Sequence, residues 1–93
     1  MEDVIDIVIQ RRLSFAHYVY GQTSVDVRSI LEAMFKEQKT MTLTVRSGLF
    51  GIQSDASDGC LFLRCKRDPM IWKIRDGEVV CFHIRHVFHL TRP

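Results

Sequence analysis

The order of apolar and polar positions changes period along the chain, from about 3.6 residues before Thr40 to two after it. Residues 3–20 (DVIDIVIQRRLSFAHYVY) place apolar groups at Val4, Ile5, Val8, Ile9, Leu13, Ala16 and Tyr20. That spacing follows one face of a helix and predicts a first helix there. Asp3 and Asp6 near its start, with Arg11 and Arg12 later, suit the helix dipole. Ile5, Ile7 and Ile9 also alternate, and β-branched residues favour strands, so residues 3–10 carry a competing strand reading. Helix is preferred because the periodicity continues past residue 10.

Gly21 reads as a helix stop and Thr23 or Ser24 as the next N-cap, with Asp26 completing a capping box. Val27, Ile30, Leu31, Met34 and Phe35 then follow the i, i+3, i+4, i+7, i+8 pattern of a surface helix. From Thr40 the alternation of Met41, Leu43 and Val45 with Thr42, Thr44 and Arg46 predicts a half-buried strand. Turn residues Ser54 to Gly59 separate it from a second strand, Cys60 to about Cys65. Met70–Arg75 and Glu78–Leu90 flank Asp76-Gly77, a strong short hairpin signal that would pair Arg75 with Glu78 and Trp72 with Cys81. The expected fold is α+β: two N-terminal helices packed on one face of an antiparallel meander of about four strands, a two-layer sandwich.

The 93 residues suit a single domain, 1–93, able to bury one ordinary core. Apolar residues make up 46% and charged residues 26%, which excludes disordered, collagen-like and disulfide-scaffold classes. With no run of 18 apolar residues, no membrane-spanning helix is expected. The acidic start, Met1-Glu2-Asp3, reads as neither a signal nor a transit peptide. Cys60, Cys65 and Cys81 are an odd number in apolar or mixed segments and read as reduced thiols, so an intracellular protein is expected.

The most suggestive chemistry lies in Cys81-Phe-His-Ile-Arg-His-Val-Phe-His-Leu90. On a continuous strand Cys81, His83, Arg85 and His89 share one face, and Phe82, Ile84, His86, Phe88 and Leu90 the other. Cys81, His83 and His89 are candidate zinc ligands, with Cys60 or Cys65 of a neighbouring strand available to complete a tetrahedron. The spacing matches no recognised finger, so a solvated polar face is the preferred reading. Cys81 as a nucleophile would need His83 as base and Arg85 nearby, and the sequence supplies no acidic orienter. A small buried thiol is preferred, and no cofactor motif is present.

Charge is uneven. Residues 60–93 hold seven bases (Arg64, Lys66, Arg67, Lys73, Arg75, Arg85, Arg92) against three acids (Asp68, Asp76, Glu78). Several alternate with aromatics, as in Phe62-Leu-Arg64, Trp72-Lys73 and Phe82-His-Ile-Arg85. Arg64, Lys66, Arg67, Lys73, Arg75 and Arg85 are therefore candidate nucleic-acid contacts, with rings under bases and cations on phosphates. Against this stands core placement of the aromatics, and a net charge of only +2. Gly48-Leu-Phe-Gly51 reads as a bulge or bend and Asp55 and Asp58 as turn residues. The long last strand is a candidate free edge, and Phe88 and Leu90 candidate interface residues.

The reading that emerges is a non-enzymatic interaction module, of the kind found among small regulatory and virus-encoded accessory proteins. It would self-associate and bind another protein through a sheet edge or helix face. The alternatives are an RNA- or DNA-binding module using the basic C-terminal half, and a zinc-binding domain using Cys and His of the last strands. No membrane partner is expected.

Overall fold

The computed structural model describes residues 3–53 and 58–88. In chain order they form β1 (Val4–Ile9), β2 (Leu13–Tyr20), β3 (Thr23–Asp26), α1 (Arg28–Glu37) and β4 (Thr40–Thr44). A 3-10 turn (Ser47–Phe50), β5 (Cys60–Cys65), β6 (Trp72–Arg75) and β7 (Val79–Ile84) follow. Three strands make one sheet in the order β1-β7-β4, with β1 parallel and β4 antiparallel to β7. Four make a second, fully antiparallel sheet in the order β3-β2-β5-β6.

The expectation of two N-terminal helices on a four-stranded meander is therefore corrected to one helix and seven strands in two sheets. Residues 3–20 are two strands, and the competing strand reading of 3–10 is the one the structure adopts. The helical spacing arises from one connection between strands and one change of strand parity. Ile9 ends β1 in one sheet and Leu13 opens β2 in the other, so the connection between the sheets supplies a step of four residues. A register irregularity between Leu13 and Phe15 then moves the buried set from Leu13 to Ala16 and Tyr18, a step of three. Steps of four and three are what a helix face shows. Gly21, expected to stop a helix, sits at φ 56° in the two-residue turn of the β2–β3 hairpin, where Tyr20 pairs with Thr23.

The helix over 28–37 forms as its spacing predicts and buries Leu31 and Phe35. Its start uses neither Thr23 nor Ser24, which lie in β3; instead Asp26 Oδ1 accepts the Arg28 N–H at 2.9 Å. Buried Glu32 ties the helix to β2, because its Oε2 accepts the Leu13 N–H at 3.0 Å while Arg12 lies 3.4 Å from Oε1. The Gly48–Gly51 stretch forms the 3-10 turn that turns Phe50 inward, with Gly51 left-handed at φ 71°.

Asp76-Gly77 is a tight turn, with the Glu78 N–H donating to the Arg75 carbonyl at 3.0 Å and Gly77 at φ 89°. It is not a hairpin. Trp72 pairs with Leu63 and Cys81 with Asp6 and Thr42, so the strands on either side enter different sheets. The turn is instead held by β4's end: Gly77 donates to the Val45 carbonyl at 2.9 Å, and Val45 donates to the Glu78 carbonyl at 3.0 Å. The last strand stops at Ile84, well short of the expected Leu90. Beyond it Arg85 and His86 both donate to the Ile9 carbonyl, at 2.8 and 3.1 Å. His89, Leu90 and Arg92 lie outside the described residues, as does Asp55.

Both sheets and the helix share one core. Ile7, Ile9, Val80, Phe82 and Ile84 come from the three-stranded sheet, and Leu13, Ala16, Tyr18, Leu61, Leu63 and Ile74 from the four-stranded one. Burial of this much branched and aromatic surface is the main stabilising term. A second polar join, besides that of Glu32 with Leu13, links β2 to the Asp76 turn. The Tyr18 hydroxyl donates to Asp76 at 2.6 Å to Oδ1 and 2.9 Å to Oδ2, and the Gly59 N–H donates to the same carboxylate at 3.0 Å. The Asp76 N–H in turn donates to the Gly59 carbonyl at 2.9 Å.

Burial, then the hydrogen bond to Asp76 and its negative charge, push the Tyr18 hydroxyl far above the usual tyrosine range. An unfolded tyrosine loses its proton near pH 10 while this one keeps it. The unfolded state is thus favoured as pH rises, and stability should fall by up to about 1.4 kcal/mol per pH unit above pH 10. Urea midpoints measured from about pH 9 to 11 check this against Tyr18→Phe, whose decline should be shallower. Parallel declines in the two proteins would exclude the linkage.

Candidate nucleic-acid interface

The four-stranded sheet has one face in the core and the other in solvent. Strand alternation sends Leu61, Leu63 and Cys65 of β5 inward and leaves Cys60, Phe62 and Arg64 half-exposed outside. On β6, Ile74 is buried, while Lys73 and Arg75 are exposed. Register carries the same outer face across the sheet. Phe62 lies opposite His17 on one side and Lys73 on the other, Arg64 opposite Phe15, and Cys60 opposite Arg75. Asp26 and Ser24 of β3 close the far edge of this face, opposite His17 and Val19.

The side chains on this face stack. The Arg64 guanidinium carbon lies 5.5 Å from the Phe15 ring centre, and Lys73 Nζ lies 5.8 Å from that of Phe62. Phe15 and His17 rings stand 5.6 Å apart. Arg64 is further held by Ser14, whose Oγ accepts from Nη2 at 3.2 Å. Phe15 and Phe62 are diagonal cross-strand neighbours, a relation that sets side chains roughly 7–8 Å apart. The result is a shelf of half-exposed rings with cations parked on their faces.

The remaining cations fall elsewhere. Lys66 and Arg67 follow β5 in a turn where the Lys66 N–H donates to the Arg12 carbonyl at 2.8 Å and Arg67 is left-handed at φ 65°. With Arg11, Arg12 and His86 they line an open cleft of about 240 Å³. This cleft adjoins the Phe15–Arg64 end of the shelf through the chain itself, at Arg12–Leu13 and Cys65–Lys66. Arg85 is exposed beyond β7, on the other sheet. Phe15, His17, Arg11 and Arg12 carry no contact signal in the sequence, because the helical spacing of residues 3–20 hides the outward row that β2 forms.

The candidate metal ligands are partly united. Cys81 and His83 share the solvent face of β7, and β1 adds Asp6, whose Oδ1 lies 2.9 Å from His83 Nε2. Cys60 and Cys65 belong to the other sheet and do not approach this group by strand pairing. Burial also pushes the Cys65 thiol above its usual range. Asp6 supplies an acid beside Cys81 and His83, brought there by the parallel pairing of β1 with β7, which alternation along a strand does not reveal.

The expected free edge is corrected as well: β7 is the middle strand of its sheet, flanked by β1 and β4. Phe88 is half-buried, with its ring 5.6 Å from Phe35 and edge-on to His86 at 4.8 Å. Among the described residues, no helix is long and apolar enough to cross a membrane. No protein-family model, curated protein or solved structure matches the chain.

Proposed function

We propose that the protein binds single-stranded nucleic acid on the outer face of the β3-β2-β5-β6 sheet. The observation that carries this reading is the shared solvent face of Phe15, His17, Phe62, Arg64, Lys73 and Arg75 on the three neighbouring strands β2, β5 and β6. Rings on an open sheet accept bases by stacking, and cations beside them meet the phosphates. The Arg11–Lys66–Arg67 cleft extends the positive track past the Arg64 end. Arg12 contributes less there, because Glu32 engages it. The role is binding without chemistry, in an intracellular setting that keeps Cys60, Cys65 and Cys81 as free thiols.

Fluorescence anisotropy with labelled single-stranded RNA and DNA tests the reading. Neutralising about three phosphates gives a log–log salt slope near −2 for a single strand. Affinity should thus fall roughly 20-fold between about 50 and 200 mM salt. Phe62→Ala should weaken binding by about tenfold or more, the usual loss of one stacked base. Absence of binding at low salt, or binding indifferent to Phe62→Ala, Arg64→Ala and Lys73→Ala, would overturn the proposal. So would a concentration-dependent dimer that Phe62→Ala dissolves, since the shelf would then be a protein contact.

A further inference from the structure

The solvent face of the β1-β7-β4 sheet carries a second group of side chains. Asp6, Cys81 and His83 each offer a ligand atom, and the three atoms lie within 4.8 Å of one another. We infer that these three residues hold a zinc-class divalent ion, with the fourth position open to water.

The backbone does most of the positioning. Asp6 and Cys81 are register partners on parallel strands, and His83 stands two residues along β7, so all three point the same way. Tetrahedral zinc takes thiolate sulfur at about 2.3 Å and nitrogen or carboxylate oxygen at about 2.0–2.1 Å. Ligand atoms around such an ion lie roughly 3.3–3.7 Å from one another. The Asp6–His83 contact at 2.9 Å needs only to widen slightly, and the Cys81 sulfur to swing inward. Half-exposed Cys81 and His83 and exposed Asp6 have room for both movements.

The donor set selects the metal. One thiolate and one imidazole favour zinc over magnesium or calcium, which take oxygen donors. A thiolate and a carboxylate together balance the ion's two positive charges, and the thiol proton leaves to solvent on binding. Three protein ligands leave one coordination position, which here faces outward from the sheet. The site shares no residue with the ring-and-cation shelf, so either can fail without the other.

Cobalt(II) titration of the full chain reads the site directly, since a thiolate on tetrahedral cobalt gives a near-ultraviolet charge-transfer band together with intense visible bands. Both should saturate at about one ion per chain and be displaced by zinc. Cys81→Ser should abolish the charge-transfer band, whereas Cys60→Ser should retain it. Asp6→Asn and His83→Gln should each raise the zinc dissociation constant at least tenfold in competition with a chromophoric chelator. All these substitutions lie outside the buried core, and circular dichroism spectra matching that of the unsubstituted chain would verify that the variants compared are folded. A missing charge-transfer band, a band that survives Cys81→Ser, or zinc affinity unmoved by Asp6→Asn and His83→Gln would overturn the inference.

Discussion

Phe82→Ala is expected to remove about 4 kcal/mol of stability, the middle of the range that deleting a buried phenyl ring costs. Phe82 is fully buried at the middle of the central strand, with Ile7 and Met41 as its lateral partners and the Phe35 ring 5.1 Å away. It therefore joins three strands and the helix at one point, and neighbours fixed in a ladder cannot collapse into the void. Against a typical domain stability of about 5–15 kcal/mol, such a loss leaves little margin. Denaturant midpoints measure it. Phe62→Ala is the internal comparison: the same chemical change on the outer sheet face should cost under about 1 kcal/mol, as surface substitutions do. Similar losses in both variants would refute the assignment of inner and outer faces.

Gly59→Ala should cost about 3 kcal/mol, although alanine adds only a methyl group. A Cβ at residue 59 would fall on the Tyr18 hydroxyl and 2.9 Å from Asp76 Oδ2. Neither neighbour can yield freely, because Tyr18 is enclosed by the core and Asp76 is bonded to both Tyr18 and the Gly59 backbone. Overpacking of this kind costs about 1–3 kcal/mol, and displacing a buried hydroxyl from its acceptor adds about 1–3 more. A double-mutant cycle isolates the hydroxyl's share of the clash, since the ring carbon Cζ, 2.5 Å from the added Cβ, stays in phenylalanine. In a Tyr18→Phe background the hydroxyl is gone, so Gly59→Ala should be cheaper by at least about 1 kcal/mol. Strict additivity would place the origin of the cost elsewhere.

Legibility in the sequence followed the reach of the forces involved. Cys60–Cys65 is a strand with the bounds its alternation suggests, because each side chain's fate there is decided by period two alone. The helix is likewise legible from Val27, Ile30, Leu31, Met34 and Phe35, a local pattern read by one face. The N-terminal segment misleads because Ile9, Leu13 and Ala16 reproduce helical steps that the passage from one sheet to the other and an irregularity in β2 create. The Asp76-Gly77 turn was visible but not its destination, since turn chemistry fixes a reversal and says nothing about which sheet receives the next strand.

The candidate sites divide in the same way. Arg64, Lys73 and Arg75 could be placed beside Phe62 from alternation within β5 and β6. Phe15 and His17 could not, because their row exists only once β2 pairs with β5. Cys81 and His83 were visible as a same-face pair on one strand. Asp6 required knowing that residues more than seventy positions away lie alongside, as the Asp6–His83 bond shows. Long-range partnership is the one thing a periodicity carries no trace of.

Parallel pairing of Val4 with Val79 through Ile9 with Ile84 also has a kinetic consequence. During synthesis β1 must wait, unpartnered, until Val79–Ile84 has left the ribosome. Closing so large a loop delays the reward of ladder formation, so refolding should be slow for a chain of this length. In that interval a ribbon of Val and Ile stands ready to join any stray β edge, making prompt completion a matter of avoiding aggregation.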